Sequence, residues 1–202
     1  MSATKSKFAA ALLLGLVIAA PAAHARITRI VIDRVESPIF GGASFGNVGH
    51  YEKLVGRAYG ELDPRDELNS SIVYIDKAPL NAAKRVDYSI DVFILKPIDM
   101  SLGNRTVLYD VVNRGDTRAL AVFHVGASAS NDPTSEKDAG DGFLMKQGYT
   151  VVASGWQGDV PQGNNRLVGH FPVAAEPGGL PITKLITAEY LFTEPAYTAA
   201  AT

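Results

Sequence analysis

Apolar and polar positions alternate most regularly between residues 86 and 95, where Val86, Tyr88, Ile90, Val92 and Ile94 interleave with Asp87, Ser89, Asp91, Phe93 and Leu95. That period of two predicts a strand with one wholly apolar face and a second face that turns apolar toward its end, closed by Pro97. After a polar loop over Asp99 to Asn104, the run Arg105 to Val112 predicts a buried strand that stops at the turn Asn113-Arg114-Gly115-Asp116. Phe143, Leu144 and Lys146 followed by Gly148 read as a helix end with its glycine stop, and Tyr149 to Ser154 as a second buried strand. Two buried strands joined through a helix form a βαβ unit, which lays them parallel in a covered sheet. The short loop before residue 105 predicts a hairpin between 86–96 and 105–112, with the sheet parallel from there onward.

The flanking segments are less regular. Ile27 to Val35 predicts a strand, and the glycine-rich stretch from Phe40 to Gly49 a loop. Residues 51–62 fit a helix or a bent strand; Gly56 and Gly60 tip the reading toward the strand. A turn is expected at Asp63-Pro64-Arg65-Asp66, a short strand from Ser71 to Ile75, an edge strand from Leu167 to Val173, a turn at Glu176-Pro177-Gly178-Gly179, and a last strand from Ile182 to Phe192. The fold class expected is α/β: a β-rich mixed sheet whose antiparallel first strands lead into a parallel βαβ unit, and which is incomplete.

Residues 1–25 stand outside that scheme. Lys5 and Lys7, an apolar stretch from Phe8 to Ala20 and the small-x-small site Ala23-His24-Ala25 make a secretory signal peptide, too short for a membrane span. The domain is then 26–202, and its location periplasmic or secreted. The first 25 residues hold two of the 19 basic residues and no acid, leaving 17 basic against 21 acidic. A mildly acidic chain offers no footprint for nucleic acid, and no later stretch is long enough to span a membrane. With no cysteine, disulfides, thiolate metal sites and cysteine nucleophiles are excluded.

Candidate chemistry gathers where strands end, because ligands of open α/β sheets sit at carboxyl ends. Those ends are Asn113-Arg114-Gly115 and Gly155-Trp156-Gln157-Gly158-Asp159. Trp156 could line a pocket there or cover the sheet's end; Arg114 could sit in a tight turn and form a surface ion pair. Asp132, Glu136, Asp138 and Asp141 miss the spacing of a calcium loop and read as helix caps. His50, His124 and His170 lack metal-ligand spacing, His124 reads as a packed or solvent-bridging side chain, and no metal or cofactor is expected. Gly42-Ala43-Ser44-Phe45-Gly46 matches G-x-S-x-G literally, yet no apolar strand leads into it; it reads as structural loop in preference to a triad of Ser44 with a carboxylate and His124 or His170.

The order of these elements resembles the first half of an α/β-hydrolase. More narrowly, the chain is similar to the bacterial "alpha/beta hydrolase domain" proteins over most of residues 26–202, through segments 32–38, 40–46, 51–60, 113–115 and 142–150. The resemblance implies a serine carboxylic-ester hydrolase acting on a small-molecule ester. Asn113, Arg114 and Gly115 would be its oxyanion loop, Trp156 and Gln157 would line the substrate site, and the nucleophile elbow would lie beyond this chain. The alternative is a non-catalytic exported β-rich binding module.

Overall fold

The computed structural model describes residues 25–185, 187 and 188. The predicted signal peptide, apart from Ala25, and five of the eleven residues of the predicted strand 182–192 lie outside them, and residues 182–185 carry no regular structure. Seven strands form one mixed sheet: β1 (Ala25–Glu36), β2 (Ser44–Phe45), β3 (Gly49–Leu62), β4 (Val86–Pro97), β5 (Val107–Val111), β6 (Thr150–Ser154) and β7 (Gly169–His170). Its order is β1-β3-β4-β6-β5, with β2 on β3 and β7 on β4. Three short helices, α1 (Ala119–Phe123), α2 (Glu136–Ala139) and α3 (Phe143–Lys146), fill the crossover between β5 and β6.

The expected parallel pair is present, Val107 opposite Thr150 through Val111 opposite Ser154, and it is the one parallel pairing among the described strands. The expected hairpin is not. β6 lies between β4 and β5, antiparallel to β4 from Val92–Ser154 to Leu95–Val151. Burial explains the insertion. β6 has buried or half-buried side chains throughout, whereas β5 leaves Val107, Tyr109 and Val111 exposed and so occupies the edge. The nine residues between β4 and β5 easily step across two strand spacings of about 4.8 Å each.

Residues 71–75 also depart from expectation, forming turns and a 3-10 segment, Ile75–Lys77. Polar side chains claim the backbone just before them: Asp66 accepts the Leu68 N–H, and Asn69 donates to the Asp63 carbonyl. The strand predicted over 167–173 shrinks to Gly169–His170, paired antiparallel with β4. The strand expected over 51–62 is present and runs from Gly49 to Leu62, and the irregularities sit in its partner β1, between Ile27 and Arg29 and between Ile32 and Arg34. Gly56 is required there, since a Cβ would fall 2.0 Å from the Val31 carbonyl oxygen.

Register divides the sheet into two faces. On one, Tyr51, Phe93, Leu95, Val151 and Ala153 meet Leu120, Leu144 and Met145 of the crossover and Phe40 and Phe45 of the glycine-rich loop. Phe40, Phe45 and Tyr51 interlock edge to face at 5.8 and 5.6 Å, so the loop is pinned by aromatic packing. The buried Tyr51 hydroxyl is directed at the Met145 and Tyr149 carbonyls, and burial pushes its pKa up. The opposite face carries the uninterrupted apolar row of β4, with Ile30, Ile32 and Val35 of β1 on one side and Val107, Tyr109 and Val111 of β5 on the other. Those six outer residues are 36–64% exposed.

Candidate functional site

The turn after β5 is closed by two backbone hydrogen bonds, Asn113 N–H to Asp116 O at 3.1 Å and Asp116 N–H to Asn113 O at 3.0 Å. Both central residues have positive φ, Arg114 at 49° and Gly115 at 83°. Glycine tolerates that conformation; an arginine held in it stores about 1 kcal/mol of backbone strain.

After β6 the chain makes an excursion whose two ends meet. Gly155 N–H donates to the Asp91 carbonyl at 2.9 Å, and Asp91 N–H donates to the Val168 carbonyl at 3.0 Å. β6 and β7 are therefore two lengths of one line along β4, interrupted by residues 155–168. A Cβ on Gly155 would lie 2.4 Å from the Val168 carbonyl carbon, so only glycine lets the ends close.

The excursion folds back over the tip of β5. Arg114 N–H donates to Gln157 Oε1 at 2.7 Å, and its guanidinium to Asp159 Oδ2 at 3.1 Å and the Asp159 carbonyl at 2.8 Å. Trp156 Nε1 donates to the Val112 carbonyl at 2.5 Å, so the half-exposed indole covers the end of the strand. Gly115 lies beneath the excursion; its carbonyl accepts Leu167 N–H at 3.0 Å, and a Cβ there would strike Arg166 and Val160. The structure thus joins Arg114, Trp156 and Gln157 in one contact set, with the tight turn and ion pair foreseen for Arg114. The strand tips close on each other, and the larger cavities open alongside them.

One cavity, about 240 Å³, runs between β1, β3, β4 and the segments around residues 131 and 166, lined by Asp33, Arg34, Arg57, Asp91, Asp132 and Arg166. A second, about 650 Å³, shares Asp91 and Arg166 and reaches His170 and Phe171. At their junction Asp91 Oδ1 accepts Arg57 Nη2 at 2.9 Å and lies 3.0 Å from His170 Nε2, while Oδ2 accepts Val168 N–H at 3.0 Å. Sequence reasoning had no means of pairing Asp91 with His170, 79 positions apart.

Of the crossover acids, Asp138 closes a capping box with Ser135 and Asp141 accepts the N–H groups of Val125 and Phe143, as expected of caps. Asp132 departs from that role and pairs with Lys53 and Arg34. Ser44 lies exposed in β2, paired with His50, with no strand-to-helix elbow. Among the described residues no group of three or more His, Asp or Glu could hold a metal, and no helix is long and apolar enough to cross a membrane.

His124 is buried and spans the crossover: Nδ1 lies 2.8 Å from the Ala139 carbonyl, and Nε2 accepts Leu144 N–H at 3.1 Å. The second bond requires a bare Nε2, hence a neutral ring, and burial lowers the His124 pKa despite the Ala139 and Asp141 oxygens. A histidine held below its unfolded value leaves stability intact above about pH 6.5 and erodes it as pH falls from there through the folded value. The melting temperature is expected to drop between pH 7 and 5 more steeply for the native protein than for His124→Gln. Equal slopes by differential scanning fluorimetry would refute this role.

Comparison with protein-family models, with curated proteins and with solved structures returns no match.

Proposed function

We propose that this chain is the N-terminal, β-rich part of an exported carboxylic-ester hydrolase of α/β-hydrolase type, with its nucleophilic serine supplied by sequence following residue 202. The observation that carries the reading is the Arg114 N–H, held by a left-handed turn at the tip of a parallel strand and donating at 2.7 Å to a carbonyl oxygen, Gln157 Oε1. That carboxamide oxygen stands in for an ester carbonyl. A substrate oxygen that displaced it would gain charge on nucleophilic attack and strengthen the same bond, which is the task of an oxyanion donor. Strained backbone at a strand tip is a frequent companion of such sites. The exposed apolar row from β1 across to β5 also supports a sheet that further structure packs against.

The test is hydrolysis of p-nitrophenyl acetate and butyrate by this chain and by a chain extended through whatever sequence is encoded after residue 202. Activity in the longer protein alone is expected. Activity in neither would overturn the reading and favour an exported binding module instead.

A further inference from the structure

The Asp91–His170 junction forms a second site, independent of Arg114 and of the hydrolase reading. Asp91 is anchored by Arg57 and by Val168 N–H, so its carboxylate holds the imidazole through Nε2–H. In the neutral ring Nδ1 is then a bare acceptor, and it has no partner among the described residues. Arg166 spends Nε on Asp116 and Nη1 on the Pro161 carbonyl, and its Nη2 is likewise without a partner among the described residues. Both side chains line the 650 Å³ cavity, whose remaining wall includes Phe171, Pro172 and Val173. Phe171 is fixed by stacking on Tyr88 at 6.1 Å, and its ring folds over Gly169, where a Cβ would lie 2.4 Å away.

A volume of this size, walled in part by apolar side chains and holding Arg166 Nη2, His170 Nδ1 and the Gln162 carboxamide, suits a small organic ligand. Its chemistry follows from those groups: an acidic oxygen for the guanidinium, a hydroxyl hydrogen for the imidazole, and an apolar substituent for the Phe171 wall. We infer that the cavity between Arg166 and His170 binds a small 2-hydroxy carboxylate bearing an aromatic or branched apolar group. The carboxylate meets Arg166, and the hydroxyl donates to His170 Nδ1, which Asp91 keeps oriented.

Mandelate, phenylacetate and benzyl alcohol separate the two contacts, since phenylacetate lacks the hydroxyl and benzyl alcohol the carboxylate. Isothermal titration of the full-length protein is expected to give saturable mandelate binding, with each of the other two weaker by about tenfold or more, the usual loss for one hydrogen bond to a charged or oriented group. Arg166→Lys, which keeps the charge facing Asp116, should bring mandelate close to benzyl alcohol; His170→Gln should bring it close to phenylacetate. Three ligands within twofold of one another on the native protein, or no saturation by mandelate, would overturn the inference without recourse to either variant.

Discussion

Replacing Asp132 by Asn is expected to cost about 3 kcal/mol of folding stability, a fall in melting temperature of about 6–12 °C for a domain of this size. The reason is Lys53, whose side chain is wholly buried on the crossover face of β3. Its ammonium donates to Asp132 Oδ1 at 2.5 Å and to the Pro133 carbonyl at 3.0 Å, and lies 3.2 Å from Glu36 Oε2. Burial alone would raise the Asp132 pKa, but Lys53 and then Arg34 hold it below the ordinary carboxylate value. Its contribution is therefore complete above about pH 4 and disappears as the pH falls through that lower value. The neutral amide of Asp132→Asn would leave a buried ammonium with Glu36 as its remaining anion. Lys53→Met is expected to cost about 1 kcal/mol or less, because Asp132 keeps Arg34 and the methionine fills the same volume. The asymmetry is the test. Chemical denaturation that shows Lys53→Met as damaging as Asp132→Asn would mean that the pair stabilises as an ion pair, and that the buried charge is not the liability.

Gly155→Ala should cost about 2–3 kcal/mol, the usual range for forcing a methyl into packed backbone. The added carbon would lie 2.4–2.5 Å from three backbone atoms of Val168, and none of them can turn aside as a side-chain tip would. Relief requires opening the junction at which Asp91 holds both ends of the excursion. The damage should therefore be local before it is global. Limited proteolysis is expected to cut the variant within residues 156–167 under conditions that leave the native chain whole, with far-ultraviolet circular dichroism little changed. Wild-type resistance in the variant would show that the excursion closes without the glycine. The same variant is expected to loosen the contacts of Gln157 and Asp159 with Arg114.

Local rules made much of this fold readable. Alternation located β1 and β4, glycine placement located the end of α3, and the polar turn located the end of β5, because each depends on groups within a few residues of one another. Gly56 and Gly60 weakened a helix enough to leave a strand, and their reason emerged in three dimensions: β1 backbone against one, the Tyr88 ring against the other. At the candidate site, the turn at Arg114 and Gly115 followed from turn chemistry, while the left-handed backbone of Arg114 and the partner of each donor did not.

By itself, then, the order of residues determined the long strands β1, β3 and β4, the stops of β5 and α3, that β5 and β6 run parallel, and that no cysteine chemistry is present. Tertiary structure alone decided that β6 separates β4 from β5, that Lys53 is buried against Asp132, that Asp91 meets His170, and which sheet face the crossover covers. The division has a physical cause. Backbone geometry is settled by near neighbours in the chain, whereas strand order and charge pairing are settled by the burial of whole faces, a competition among segments far apart in the chain that no local pattern records.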